Sequence, residues 1–231
     1  MKNILGIDGS KSGWVGVKQS SKQEGILEIL FKNKLIDFLS PDIDLIIIDM
    51  PVGLDKNIQQ GGRLVDKEAR KRLLKRKSSI FNAPIRDVLK AKSYNEANTI
   101  SKNKGLGISK QSWNLIPKIN ELDQILQIKI RPQIYESHPE LCFQIMNDGA
   151  LKFSKKDKLG IKERKNILIK NGFDKKFLDN NLKKNKNFHS DDFLDACALS
   201  WTAKRIINEQ NINLPEDPEK DELGIIMQMK V

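Results

Sequence analysis

Two short apolar runs in the sequence each end in an aspartate at a turn. Asp8 follows Leu-Gly-Ile in LGIDGSKSGW, and Asp49 follows Leu45 to Ile48 in LIIIDMPVGL. A run such as LIII predicts a strand that is buried on both faces, and open α/β sheets bind their ligands at the carboxyl ends of such strands. The two aspartates therefore predict an α/β fold with a ligand site at one edge of its sheet.

The stretches around these runs predict the strand order. Three short apolar stretches separated by Gly, Ser and Lys turns predict an antiparallel meander over residues 3–8, 14–18 and 26–31. A short amphipathic helix over 32–39 then leads to the strand 45–49, and a helical crossover places such a strand parallel to its neighbour. A fifth strand is predicted over 133–137.

The remaining segments predict helices. Residues 55–132 are polar and basic with no convincing strand, which predicts a helical insertion. Ser190 is a suitable N-cap for a long helix over 191–208, and 224–229 predicts a late strand. The expected fold is one α/β domain: a mixed five-stranded sheet, with three antiparallel strands and then parallel strands, that has helices on both faces and a helical insertion.

Composition excludes several classes of protein. The 231 residues are 39% hydrophobic and 31% charged, as in folded soluble domains. No apolar stretch approaches the roughly 20 residues of a membrane helix, and Met1 to Asn3 lead directly into a strand, so we expect a cytoplasmic protein that does not bind a membrane. Cys142 and Cys197 lack zinc-ligand spacing and are expected to be buried thiols.

The net charge of +11 and the pI near 9.5 favour a polyanionic partner such as DNA or RNA. Most of the basic residues are lysines, and a biased composition rich in Lys, Asn and Ile explains the same charge without selection for binding. The charge is therefore weaker support for a nucleic-acid partner than the positions of the few arginines.

Five acids lie at the ends or beginnings of predicted elements. Besides Asp8 and Asp49 they are Glu136 in QIYESHPE and the pair Asp192 and Asp195 in SDDFLDA, which share one helix face. Carboxylates gathered together repel unless a cation joins them, and Mg²⁺ or Mn²⁺ takes oxygen ligands from several elements. We expect Asp8, Asp49, Asp192 and Asp195 to bind two such ions, a site suited to phosphodiester hydrolysis.

Each acid also has a structural explanation. Asp8 before Gly9 is a common turn pair, and Asp192 in a first helical turn complements the helix dipole. Glu136 in a strand is expected either in the site or in a salt bridge. Asp195 lies one turn deeper between Leu194 and Ala196, where a carboxylate without a partner is costly, so a site role is favoured.

Arginines are candidate substrate contacts, because an arginine side chain can hold a phosphate with two hydrogen bonds. Arg63 and Arg70 share a helix face with Asp66, and Arg86 follows; they predict a substrate-facing strip or, alternatively, an internal salt-bridge network. Lys11, in the turn after Asp8, is a further candidate.

A polar segment with one aromatic residue is able to stack a base and bind its backbone. It contains Ser109, Lys110, Gln111, Trp113 and Asn114, although a single Trp is more often a core residue.

Two histidines complete the candidate site residues. His138 is a candidate proton shuttle, and His189 precedes the last long helix. A lone histidine is more often structural.

Several segments together resemble the domain-of-unknown-function 429 family, whose members are predicted nucleases of the ribonuclease H fold. They are IDGSKSGW, IDMPVGL, RLVDKEARKRLLKRKSSIFNAPIR, SKQSWNLIPKINELD, ESHPE, KERKNILI and DDFLDACALSWTAKR. The acids are also similar to those of Holliday junction resolvases, which implies Asp8, Asp49, Asp192 and Asp195 as metal ligands and Glu136 as a fifth acid. Ser10-Lys11 replaces a Cys-Pro frequent in the family.

Three functions remain open. The first is a metal-dependent nuclease acting on DNA or RNA. The second is a phosphotransferase of the actin-like and sugar-kinase superfamily, which normally needs two copies of the fold. The third is a nucleic-acid-binding protein without catalysis. A homodimer is possible, but nothing in the sequence identifies its interface.

Overall fold

The computed structural model of the chain describes residues 3–20, 27–129, 131–183 and 185–231. Within these ranges seven strands form one mixed sheet, in the order β3-β2-β1-β4-β5-β7-β6. The strands are β1 (Asn3–Ser10), β2 (Gly13–Ser20), β3 (Leu27–Lys32), β4 (Leu45–Ile48), β5 (Gln133–Glu136), β6 (Asn213–Leu214) and β7 (Met229–Lys230). β1, β2 and β3 are antiparallel, whereas β4 is parallel to β1, and β5 to β4.

Seven α-helices and three short 3₁₀ helices occur in the same ranges. The α-helices are α1 (Leu64–Arg72), α2 (Tyr94–Asn103), α3 (Lys110–Leu126), α4 (Pro139–Met146), α5 (Lys158–Lys170), α6 (Lys175–Asn181) and α7 (Ser190–Ile207). The 3₁₀ helices are Leu35–Phe38, Lys77–Ser79 and Arg86–Lys90. The described part of 55–132 contains helices and no strand, as expected of the helical insertion.

The α/β class and the mixed sheet are confirmed, and the count of five strands is wrong. β6 and β7 extend the sheet to seven. The late strand predicted over 224–229 overlaps β7 only at Met229, and the two residues of β6 carry no periodic signal in a sequence. The predicted helix over 32–39 is a single 3₁₀ turn, and α7 begins at Ser190 with His189 as its N-cap. Ile26, the first residue of the predicted third strand, lies outside the described residues.

Alternate residues of each strand pack into two separate cores, one on each face of the sheet. Ile4 and Ile47 lie in the first core with apolar residues of α4, α5 and α7. Ile7 and Ile48 lie in the second core with apolar residues of α2 and α3. Helices therefore cover both faces, as expected. Cys142 and Cys197 are buried free thiols of the first core, also as expected.

Gly6 of β1 allows α7 to lie directly against the sheet. A Cβ atom on Gly6 would be 2.1 Å from the backbone nitrogen of Ser200 and 2.5 Å from the carbonyl oxygen of Ala196. Only a glycine leaves room for this contact between two backbones. The crossing fixes the first turns of α7 near the carboxyl end of β1.

In the described ranges, no helix is both long enough and apolar enough to cross a membrane.

Candidate active site

Asp8 and Asp49 lie side by side at the carboxyl ends of two adjacent parallel strands. Ile7 pairs with Ile48 in the β1–β4 register, and the Asp49 amide donates a hydrogen bond of 3.2 Å to the Ile7 carbonyl. By the alternation of strand residues, both carboxylates project toward the face of the first core, which α7 covers. Asp8 and Asp49 therefore lie next to each other, as predicted.

The first turns of α7 bring two more aspartates to this edge. Asp195 is 1% exposed, and Asp192 is half-buried and lines the same pocket as Asp8 and Asp49. One oxygen of Asp192 accepts a hydrogen bond of 2.9 Å from the His189 amide, so part of this carboxylate caps the helix. The helix-capping explanation and the site explanation therefore both apply to Asp192.

Lys155 supplies a positive charge among these acids. Its Nζ lies 2.5 Å from Asp195 Oδ2, and its charge also acts on Asp8 and Asp49. The loop that carries Lys155 is anchored at the Phe153 carbonyl, which accepts hydrogen bonds from Arg76 (2.6 Å) and Arg164 (3.3 Å). The ammonium group is therefore positioned by the fold as well as by the carboxylates.

Burial and mutual repulsion favour the protonated form of the acids. Burial raises the pKa of Asp49 and of Asp195 to about 6, although Lys155 opposes the shift in both. The pKa of Asp8 is well above its ordinary value because of burial first and then of repulsion from Asp195 and Asp49. Conversely, the Asp195 carboxylate raises the pKa of Lys155. The cluster has more negative charge than one lysine neutralises.

Among the described residues, several buried polar atoms at this edge have no hydrogen-bond partner. They belong to Ser10 (Oγ), Ser79 (Oγ), His138 (Nδ1) and Asp195 (Oδ1). Ser10, Ser79 and His138 line the same pocket as Asp8 and Asp49. An unpartnered buried polar atom costs about 1–3 kcal/mol, so its presence at a pocket indicates a ligand that completes the bonding.

The pocket around these groups has a volume of about 460 Å³. Three basic residues line it with the acids: Arg76, Lys118 and Lys155. Lys118 Nζ donates a hydrogen bond of 2.6 Å to the Gly13 carbonyl and lies over the Trp14 ring. A pocket with acids at its base and cations in its wall is suited to a phosphate ester together with a metal ion.

The donor chemistry of the pocket fits a hard divalent cation. Its acids offer carboxylate oxygens, the ligands that Mg²⁺ and Mn²⁺ prefer, and Asp195 Oδ1 is unpartnered. In the described ranges, however, no three His, Cys, Asp or Glu side chains surround a common point closely enough to form a metal-binding group. Instead, the ammonium group of Lys155 neutralises Asp195.

A comparison of the sequence with protein-family models places these residues in a known family. The model described as "Protein of unknown function (DUF429)" matches residues 6–220, which include all the acids of the pocket. The chain belongs to the DUF429 family. No curated protein and no solved structure matches it. The family resemblance seen in the sequence motifs is therefore confirmed.

The structure of this DUF429 chain places Glu136 outside the pocket, contrary to its prediction as a fifth acid of the site. Glu136 is in register with Ile48, so its side chain projects to the opposite face of the sheet from Asp49. There it accepts hydrogen bonds from Arg63 at 2.7 and 3.0 Å and from the Val52 amide at 2.8 Å. The alternative explanation, a salt bridge, describes Glu136.

Arg63 is likewise not on a substrate-facing surface. It is 1% exposed and bridges Glu136 and Asp66, with Nη2 at 2.6 Å from Asp66 Oδ1. Its Nη1 also donates to the carbonyls of Val52 and Gly53. Arg63 therefore belongs to an internal salt-bridge network, which is the alternative that the sequence left open.

The other two predicted arginines also hold the chain together. Arg70 donates to the carbonyls of Gly61 and Ile80 and to Asn82 Oδ1. Arg86 pairs with Asp123 (2.9 Å) and Asp221 (2.5 Å).

Lys11 is exposed in the turn after β1 and is not part of the pocket wall. The substrate-facing strip predicted from these residues does not form; Arg76, Lys118 and Lys155 are the basic residues at the pocket.

The predicted base-stacking segment is the beginning of α3. Ser109 is its N-cap and accepts a hydrogen bond of 3.0 Å from the Ser112 amide. Lys110 Nζ lies 3.6 Å from the centre of the Tyr94 ring, and Trp113 packs against the same ring beside the second core. Trp113 is thus a packing residue, whereas Gln111 lines the acidic pocket.

His138 lies in the pocket wall as predicted, buried at the N-cap of α4. Burial lowers its pKa to about 4, so its imidazole is neutral at pH 7. His189 is exposed at the N-cap of α7 and is not part of the pocket wall.

Four charged residues of the pocket were not among the candidates from the sequence: Arg76, Lys118, Glu140 and Lys155. Glu140 in ESHPE lines the pocket, with Oε1 2.5 Å from Arg164 Nη2 and Oε2 3.5 Å from Arg76 Nη1. The alternation of side chains along the predicted strand 133–137 was the available signal against Glu136, because it places Glu136 on the opposite face of the sheet from the pocket. Lys155 lies in the lysine-rich stretch KFSKKDK, where nothing distinguishes it from Lys156.

Proposed function

We propose that this protein is a nuclease with a ribonuclease H-like fold, which hydrolyses phosphodiester bonds of DNA or RNA with Mg²⁺ or Mn²⁺ as cofactor. Asp8, Asp49, Asp192 and Asp195 are the proposed ligands. The observation that carries the proposal is the convergence of Asp8, Asp49 and Asp192 from three separate elements at one pocket with a basic wall, with the buried Asp195 close enough to act on Asp8 and Asp49.

The sheet supports the fold assignment. The order β3-β2-β1-β4-β5, with three antiparallel strands followed by two strands parallel to β1, is the arrangement expected of a ribonuclease H-like core. Helix α7 crosses the centre of this sheet and carries the last two acids, in agreement with the resemblance to resolvases. The strands β6 and β7 are additions at one edge.

The residues of the chain have separate tasks in the proposed reaction. A divalent cation, when bound, supplies charge neutralisation for the phosphate and makes water more acidic. Lys118 and Lys155 attract the phosphodiester and stabilise the charge that develops on its oxygens. Neutral His138, whose Nδ1 is unpartnered, is available to accept a proton in the pocket.

Cleavage assays on labelled single-stranded, double-stranded and branched DNA and RNA with Mg²⁺ or Mn²⁺ test the proposal. The double variant Asp8→Asn/Asp195→Asn is expected to reduce the cleavage rate by at least about 100-fold, because each asparagine keeps the shape of the aspartate but lacks its negative charge. The matched control is Asp217→Asn, since Asp217 is exposed and is not part of the pocket wall. Full activity of the double variant would show that the assigned site is wrong.

A nucleic-acid-binding protein without catalysis is the second candidate, and one observation favours it. Lys155, a residue of the chain itself, neutralises Asp195. This candidate predicts binding that falls steeply with salt and no cleavage with any divalent ion. The nuclease predicts metal-dependent cleavage, and it predicts that the Asp8→Asn/Asp195→Asn variant still binds its substrate.

A further inference from the structure

A second cavity opens beside the acidic pocket. It has a volume of about 290 Å³ and lies between the residues before Arg86 and the start of α3. Phe81 and Gln111 line both this cavity and the acidic pocket, so the two adjoin at these side chains. We call the second cavity the side cavity.

The walls of the side cavity are largely apolar, and its polar side chains are two amides and the hydroxyls of Ser109 and Ser112, which bond to each other. Ile58, Ile80, Pro84 and Ile108 provide the apolar surface. Asn82 and Gln111 are exposed at the cavity and bring amide groups to it. Asn82 Oδ1 accepts a hydrogen bond of 3.0 Å from Arg70, which leaves its NH₂ group as a donor for a ligand.

Hydrogen bonds hold these walls in place without a ligand. Ser112 Oγ donates to the Asn82 carbonyl at 2.9 Å, and the Ile108 amide donates to Asn98 Oδ1 at 3.2 Å. Arg70 joins the segment of Asn82 to the Gly61 carbonyl. The side cavity is therefore formed before a ligand arrives, as in most small-molecule sites.

We propose that the side cavity binds one nucleobase of a nucleic acid whose phosphodiester lies in the acidic pocket. The proposal rests on the proposed function and identifies the part of the substrate that is recognised. A base has apolar faces and a hydrogen-bonding edge, which match the apolar walls and the two amides. It is joined to an anion, which matches Arg76, Lys118 and Lys155 on the adjoining side.

Phe81 is the residue that contacts both parts of such a ligand. It is half-buried between the two cavities, where an aromatic ring can stack on a base that enters the side cavity. The sequence suggested Trp113 for this role, but the Trp113 ring packs on Tyr94. Stacking on Phe81 places the next phosphate toward Lys118 and the acids.

The first experiment measures binding of single-stranded oligonucleotides that carry one abasic position, with the Asp8→Asn/Asp195→Asn protein as the reference. Intact DNA is expected to bind roughly 5- to 100-fold more tightly than DNA with the abasic site at one particular position, the range that stacking of one base gives. This ratio should approach one when Phe81→Leu is added, and Phe81→Tyr should restore it. A ratio near one at every position in the reference protein would overturn the subsite.

Gln111→Ala gives a second readout with a matched control. It should reduce discrimination among the four bases at the sensitive position, because it removes an amide that reads the base edge. Gln124→Ala is the control, since Gln124 is an exposed glutamine of the same helix and lines neither cavity. Unfolding curves of all variants check that the folded state is retained.

Nucleoside monophosphates separate this proposal from the proposed function. Tighter binding of any nucleoside 5′-monophosphate than of ribose 5-phosphate, lost in Phe81→Leu, supports the subsite even if no polynucleotide is cleaved. Metal-dependent cleavage that is insensitive to abasic sites overturns the subsite and leaves the nuclease standing. Equal affinity for ribose 5-phosphate and all four monophosphates also overturns it.

Discussion

Lys155 Nζ lies 2.5 Å from Asp195 Oδ2, and this ion pair joins a loop before α5 to the inner surface of α7. Asp195 is 1% exposed, whereas the Lys155 side chain is 35% exposed. The positive charge of the partly exposed Lys155 therefore lies beside a carboxylate that is buried. Its partner Asp195 also faces Asp49, which raises the pKa of Asp195 further.

We expect Lys155→Met to destabilise the protein in EDTA at pH 7.5. Loss of one partner leaves a buried carboxylate without its cation, and the partial exposure of Lys155 limits the cost to about 1–3 kcal/mol. Urea denaturation measures the free energy of unfolding. Mg²⁺ or Mn²⁺ should stabilise Lys155→Met more than the wild type, because a metal ion replaces the missing positive charge.

The double variant Lys155→Met/Asp195→Asn is the control for this ion pair. Its change in unfolding free energy should be less destabilising than the sum of the changes in the two single variants, because the second substitution removes the charge that the first leaves unpaired. Additive changes would mean that the two groups do not interact.

Gly6→Ala is expected to separate α7 from β1. The new methyl group would lie 2.1 Å from the Ser200 nitrogen, a backbone atom that cannot rotate away, so we expect a loss of at least about 1–3 kcal/mol. Gly172→Ala is the comparison: its Cβ meets nothing within 4 Å, and its φ of +93° adds strain without a clash. Thermal unfolding should show the larger loss for Gly6→Ala; equal losses would contradict the close approach.

The acidic edge of the sheet could be predicted where local pattern and geometry coincide. The run of Leu and Ile before Asp49 marks a strand buried on both faces, and α7 has acids three residues apart on an apolar helix. These signals are short-range, so Asp8, Asp49, Asp192 and Asp195 were all recognised. Their meeting depends on the parallel pairing of β1 with β4, which the helical crossover implied.

Long-range ion pairs could not be predicted in the same way. Whether Arg63 meets a substrate or Glu136 depends on a contact across 73 residues, and the sequence fits both. Lys155 is one of several nearby lysines, and only the folded path of its loop brings it to Asp195. The roles of Arg86 and Trp113 were likewise decided by tertiary partners, Asp221 and Tyr94, rather than by spacing.

His138 is expected to reduce stability in acid. Its pKa is about 4 in the folded protein and about 6.5 in an unfolded chain, so between these values the unfolded state binds more protons. The contribution of His138 to stability is complete above pH 6.5 and is lost as the pH falls toward 4, by up to about 3 kcal/mol. The buried acids Asp49 and Asp195, with raised pKa values, act in the opposite direction over the same range.

The difference between wild type and His138→Gln isolates the contribution of His138. Urea denaturation at intervals from pH 4.5 to 7.5 should show the wild type losing stability relative to His138→Gln as the pH falls below about 6.5. Parallel curves for the two proteins would contradict a buried neutral imidazole.

Glu136→Gln distinguishes a structural acid from a site acid. Arg63 would lose one of its two carboxylates while Asp66 remains, so we expect a loss of about 2–3 kcal/mol in unfolding free energy. Cleavage per folded molecule should stay unchanged, because the Glu136 side chain projects to the opposite face of the sheet from Asp49.

Asp195→Asn should lose cleavage without losing stability. It removes a proposed metal ligand, and it relieves repulsion among buried acids. Denaturant curves and single-turnover cleavage of the two variants provide the comparison. If Glu136→Gln kept wild-type stability but lost cleavage, Glu136 would be a residue of the active site. That result would exclude the structural role assigned to Glu136 from the register of β4 and β5.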